Sequence, residues 1–116
     1  MLRKVRLEAA RGHEFPEGSA KHGYELALPL SPDAALDRDF WLKHRAECSF
    51  RRFWGDEEAH GHLAHGGQGW RLVFDDTSGD AEVIVKAEAH RFIGGEYVSI
   101  KERDGVTRTF RIASVV

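Results

Sequence analysis

Cysteine is all but missing from this chain of 116 residues. The lone thiol, Cys48, excludes an intramolecular disulfide and predicts a reducing, cytoplasmic setting. Long apolar runs are missing too. The longest span three or four residues, against the roughly 20 that a membrane helix needs, so no membrane association is expected. The opening stretch, MLRKVRLEAARGHEF, carries charge in every short window and has no apolar h-region, so no signal peptide is expected. Neither sign of charge prevails. The 17 basic and 19 acidic residues leave a net charge of −2, so no long-range field points to a polyanionic partner. There is no internal repeat, low-complexity tract or linker, and the composition predicts one globular domain over residues 1–116. A chain of this length buries roughly two thirds of its unfolded surface, so it needs no metal or disulfide to fold, and no cofactor is expected.

What the chain does have is alternation, the signature of half-buried strands. KVRLEA sets Val5, Leu7 and Ala9 on one face, and GYELALPL does the same with Tyr24, Leu26 and Leu28. Residues 12–23 between them, GHEFPEGSAKHG, are rich in turn formers and read as a long mobile loop. SPDAALDRDFWLKH predicts a short helix. Ser31 is its expected N-cap, Pro32 suits the first helical position, and Leu36 and Phe40 share a face at i, i+4. RAECSFRRFW returns to alternation, with Ala46, Cys48, Phe50 and Trp54 opposed to Arg45, Glu47, Ser49 and Arg51. WRLVFD aligns Trp70, Leu72 and Phe74. AEVIVKAEAHRF reads as one strand with Val83, Val85, Ala87 and Ala89 on its apolar face. About seven short strands and one short helix predict a mainly β fold, a small antiparallel barrel or a strongly curved sheet.

Register can be argued at two hairpins. A three-residue loop, Arg103 to Gly105, pairs Val98 with Phe110 and puts Gly105 at the left-handed position of a bulge. A two-residue loop would instead mix apolar and polar faces. In HGHLAHGGQGW, a tip at Gly67 and Gln68 sets His65 against Trp70, Leu63 against Leu72 and Gly61 against Phe74. Glu58, His60 and His62 then face outward, across from Arg71, Val73 and Asp75, and a surface pair between His60 and Asp75 is expected.

Chemistry is sparse. His60, His62 and His65 have the residue type of a metal site, since three imidazoles with an open position suit zinc, copper or nickel. Outward on the same hairpin they equally form a solvated polar face, the favoured reading. Glu88 and His90 could share an outward strand face with Lys86 and do acid–base work. Cys48, among apolar residues, is expected to be inert. No Ser/His/Asp set, dinucleotide fingerprint or phosphate loop stands out, and no residue is identifiable as catalytic. Arg3, Lys4, Arg6 and Arg11 cluster near the start, and Arg51 and Arg52 flank an outward Phe53, a combination that suits stacked bases or a protein interface. The expected function is therefore a non-catalytic binding or accessory module for a protein or small ligand, with Arg51, Phe53, Arg71, Asp75, Glu88 and His90 as its candidate surface. A metal-dependent histidine site is the competing reading, and single-stranded nucleic-acid binding comes third.

Phe110 and Ile112 match Val98 and Ile100 across the last hairpin and should belong to the core. Deleting the chain from Thr109 onward should abolish cooperative urea unfolding, because it exposes an unpaired sheet edge; a sharp transition in the shortened chain would show that the last strand is dispensable.

Overall fold

The computed structural model describes residues 1–116. Eight strands run antiparallel in chain order: β1 (Leu2–Ala9), β2 (Ser19–Pro29), β3 (Ser49–Trp54), β4 (Glu57–Gly66), β5 (Gly69–Phe74), β6 (Ala81–Ile84), β7 (Tyr97–Lys101) and β8 (Thr107–Val115). Each strand pairs with the next, and β8 pairs with β1, so the sheet closes into a barrel. Closure removes both edges and decides between the barrel and the open curved sheet. At eight strands the interior is just wide enough for side chains to fill. No helix is long and apolar enough to cross a membrane.

Alternation places the core as expected on most strands. Val5, Leu7, Tyr24, Leu26, Leu28, Phe50, Leu63, Leu72, Phe74, Val98, Ile100, Phe110 and Ile112 are all buried in one cluster. Both hairpin registers hold: Gly61 pairs with Phe74, Leu63 with Leu72, His65 with Trp70, and Val98 with Phe110. Gly105 has φ +87°, the left-handed conformation that the three-residue loop requires.

Four local readings change, each for a physical reason. Pairing with β1 draws Ser19 and the residues after it into β2, so the connection expected over 12–23 is shorter. The helix, α1 (Arg38–Lys43), begins later than Ser31, and its cap is Asp37, whose side chain accepts from the Phe40 N–H at 3.1 Å. Ser31 instead closes a turn around Ala34, which has φ +67°, and Leu36 bridges back to Leu30. Trp41, not Phe40, is the buried residue of α1. Residues Arg45–Glu47 form a 3₁₀ turn, and β3 starts only at Ser49, so Ala46 lies exposed rather than on a strand face.

The fourth change matters most. β6 ends at Ile84, and Ile84 faces inward opposite Ile100, so the inward parity is Glu82 and Ile84 instead of Val83 and Val85. Val83-Ile84-Val85 is apolar at both parities, so alternation cannot choose between them and pairing with β7 does. Lys86, at φ +53°, then breaks the strand and starts a 3₁₀ turn over Ala87–Ala89.

The two ends of the barrel differ. At one, Trp41 lies edge-on to Trp70 with ring centroids 5.7 Å apart and donates its indole N–H to the Leu63 carbonyl at 3.0 Å. Cys48, Leu30, Ala87 and Phe92 complete this apolar plug. The other end is charged.

Gly61 lies between two rings. It pairs with Phe50 on one side and Phe74 on the other, and those rings meet edge to face at 5.2 Å. A Cβ there would collide with the Val73 carbonyl oxygen and the Phe50 ring. Gly61→Val should destabilise the fold by about 1–3 kcal/mol, as overpacking usually does, and so lower the urea midpoint. An unchanged midpoint would contradict this register.

Candidate functional site

At the charged end, the inward face of several strands finishes in a polar residue. On β3 the series Phe50, Arg52, Trp54 keeps one parity, and on β8 Arg108 precedes Phe110 and Ile112. Glu102 follows Ile100, and Glu82 precedes Ile84. With Tyr24 of β2 they meet inside the barrel mouth. Glu82 and Glu102 are 1% and 3% exposed, so their partners decide whether the mouth is tenable.

Glu102 is richly satisfied. Its Oε2 accepts from Arg52 Nε at 2.8 Å and from the Tyr24 hydroxyl, and its Oε1 accepts from Arg108 Nη1 at 2.7 Å. Glu82 has no cation within ion-pair distance. Its Oε1 lies 2.5 Å from Tyr24 Oη and its Oε2 accepts from the Arg103 backbone N–H at 3.0 Å. Burial pushes the Glu82 carboxyl up, with the Glu102 charge adding to it against opposing hydrogen bonds. Burial and the two carboxylates also push the Tyr24 phenol up, so it stays protonated. For Arg52, burial works against the charge, but the Glu102 hydrogen bond and charge outweigh it and raise its value. Arg108 is raised by hydrogen bonds to Glu14, Glu102 and Asp104.

An aromatic wall covers this group. Arg52 lies 4.0 Å and Arg108 5.4 Å from the Trp54 ring centre, where the ring quadrupole favours a cation. His22 and Phe15 pack on Trp54 at 4.8 and 5.6 Å, and His22 Nδ1 sits 2.7 Å from Ser19 Oγ. Sequence reading passed over the mouth, although a signal was there: Arg52, Glu102 and Arg108 each continue the parity of an apolar face.

The expected site residues are dispersed. His60 and His62 project outward from β4, whereas His65 points the other way and packs 4.5 Å from Trp70 and 6.0 Å from Trp41. The three imidazoles do not converge, and no group of three or more His, Cys, Asp or Glu side chains is disposed to hold a metal ion. The partner of Asp75 is His62, at 3.0 Å, not His60. His60 is the backbone neighbour of Asp75, accepting its N–H at 2.9 Å, but the carboxylate takes the diagonal imidazole, which lies within reach on a twisted sheet. Glu88 and His90 do not share a strand face. Glu88 lies in the 3₁₀ turn, and His90 Nε2 turns back to the Val85 carbonyl at 3.2 Å. Arg71 lies half-buried on the outer face of β5, its Nε buried without a partner. Cys48 is fully buried, and burial followed by the Glu47 charge pushes its thiol up.

Arg51 and Phe53 do share the outer face of β3. The Phe53 ring is covered by the guanidinium groups of Arg6 and Arg51, 4.6 and 4.9 Å from its centre, and is buried. Beside it lies a cavity of about 370 Å³ along the outer side of β1 to β4, reaching β8. Short side chains, Ala27, Ser49 and Ser114, line it with Lys4, Arg6, Arg51 and His60. Glu25 is its one acidic side chain, and hydrogen bonding and charge from Arg51, then Arg6, hold that carboxyl below its usual range. Lys4 makes no ion pair. No protein-family model, curated protein or solved structure matches the chain.

Removing Glu102 would leave Arg52 and Arg108 facing each other in the mouth without their shared counter-charge. Glu102→Ala should destabilise the fold by about 3–5 kcal/mol, the usual cost of breaking a buried pair from one side. Chemical denaturation checks this, and a loss below about 1 kcal/mol would mean that solvent reaches the pair freely.

Proposed function

We propose that the barrel is a non-catalytic binding module that holds a small anionic ligand in the groove over the outer faces of β1 to β4. The observation that carries this reading is the lining of the groove. Small residues leave room, and Lys4, Arg6, Arg51 and His60 line it beside one acidic side chain, Glu25. Arg6 and Arg51 are held in place by Glu8, Glu25 and Glu58, so their positions are set before a ligand arrives. Lys4, unpaired, is the free charge. Ser49 and Ser114 add hydroxyls that can donate to an acid's oxygens.

The reading favours a small acid over single-stranded nucleic acid because Phe53, the outward ring nearest the groove, is already covered by two guanidinium groups. A base would have to displace them to stack. A partner protein presenting an aspartate or glutamate side chain would use the same chemistry. We also propose a cytoplasmic setting, to which a single buried thiol is suited.

Amide shifts of isotopically labelled protein, titrated with succinate, citrate and inorganic phosphate, test the groove. Expected are saturable shifts at Lys4, Ser49, Arg51 and His60 that weaken as salt is raised and disappear in the Lys4→Glu, His60→Glu double variant. Shifts centred elsewhere, or unchanged in that variant, would remove the groove from consideration.

A further inference from the structure

The barrel mouth poses a problem of proton counting. The Tyr24 hydroxyl has one proton, yet a carboxylate oxygen from each of two glutamates lies within hydrogen-bond distance of it, Glu82 Oε1 at 2.5 Å and Glu102 Oε2 on the other side. One O–H can serve only one of them. With both carboxylates ionised, the second would press lone pair against lone pair inside a buried site. A second proton is therefore required, and its place follows from the remaining contacts.

Glu102 meets only donors. Apart from the shared phenol, Arg52 Nε reaches its Oε2 and Arg108 Nη1 its Oε1, two cationic donors that make the environment of an ionised acceptor. Glu82 meets one donor, the Arg103 N–H, and that bond goes to Oε2, leaving Oε1 to face the phenol. We infer that Glu82 is held as the neutral carboxylic acid, donating from Oε1 to Tyr24, which in turn donates to ionised Glu102, so that the mouth is a proton-binding site and a pH-sensitive latch. Every oxygen in the chain Glu82–Tyr24–Glu102 then has a role that fits its partner.

The surroundings agree. Across from Glu82, β5 supplies Leu72 and Phe74, with no titratable group. β1 supplies Leu7, opposite Tyr24. Arg52 from β3 and Arg108 from β8 are both committed to Glu102, and Arg108 is divided further with Glu14 and Asp104. Arg103, whose backbone N–H reaches Glu82, turns its guanidinium over the Phe74 ring at 3.9 Å and out to Asp76 and Asp80. No cation forms an ion pair with Glu82, and the charge of Arg52, turned to Glu102, only partly opposes the effect of burial. Burial independently pushes the Glu82 carboxyl above the usual range.

The direction of the pH effect follows. A carboxyl whose folded value is raised stabilises the fold fully below its unfolded value, about 4.3 for glutamate, and that stabilisation is lost as pH rises through the folded value. Losing the Glu82 proton sets two carboxylates against one phenol and removes the hydrogen bond from Glu82 to Tyr24, which loosens the packing of the mouth. The latch thus closes at lower pH and loosens at higher pH.

Carbon-13 NMR of the glutamate carboxyls, titrated from about pH 4 to pH 9, tests the assignment. One carboxyl should titrate well above about 4.3, the ordinary glutamate value, and its resonance should be absent in Glu82→Gln. In that variant the amide can donate to Tyr24 Oη and accept from Arg103, so its urea midpoint should equal the wild type's at low pH. It should exceed the wild type's at high pH, where the wild type declines. A Glu82 carboxyl that titrates like its exposed counterparts would overturn the inference. So would a raised resonance that survives in Glu82→Gln. Should that variant not fold, the wild-type titration, with resonances assigned through the backbone, decides the matter by itself.

Discussion

Pairing of β8 with β1 is the constraint from which the rest follows. An open sheet has one face to bury and can leave the other wet. A closed one has an interior of set width that inward side chains must fill from end to end. That demand explains why Gly61 sits where it does: two phenylalanine rings already occupy the cross-section at its level, and the strand passes them only without a side chain. It explains the large inward residues at neighbouring levels too, with Tyr24 packed edge-on to Phe110 at 5.2 Å. Closure also removes the sheet edges through which small β domains otherwise associate.

The two ends satisfy the same demand by different chemistry. One is stopped with apolar groups, and the only buried polar atom of Trp41 finds a backbone carbonyl. The other is stopped with charges that can be buried only together. Glu102 is tenable because two guanidinium groups and a phenol surround it, and Arg52 is tenable because Trp54 covers its other side. Such a group contributes less to stability than apolar filling of the same volume, since desolvation offsets much of the attraction. Its effect is on geometry and protonation, because each member is acceptable in only one arrangement.

Outside the barrel the rules are looser. Arginines and glutamates form surface pairs that are individually worth little, yet on the outer side of β1 to β3 they fix Arg6 and Arg51 over Phe53 and at the side of a groove with a floor of short residues. The groove and the mouth lie on opposite sides of the same strands. Glu25 and Arg51 face the first, and their strand neighbours Tyr24 and Arg52 face the second.

Much of this was legible from residue order. Period-two alternation determined which side chains of β1, β2, β5, β7 and β8 are core, and turn chemistry with parity determined two hairpin registers, because a slip of one residue would have put polar groups inside. The candidate site was legible only in part: Arg51 and Phe53 were placed on one outer face, while the ring's cover of guanidinium groups comes partly from Arg6, on a strand far away in sequence. Where alternation is silent, tertiary pairing decided. Val83-Ile84-Val85 reads the same at either parity, and only β7 turned Glu82 inward. Ser31 and Asp37 are both competent caps, and the bridge from Leu36 to Leu30 chose the second. The charged mouth shows in residue order only as a parity signal, at Arg52, Glu102 and Arg108, and tertiary structure decides the rest. Its five residues come from separate strands or strand ends, each looks like a surface charge or a strand tyrosine in its own segment, and burial of such charges is allowed only by partners that the closed sheet brings together.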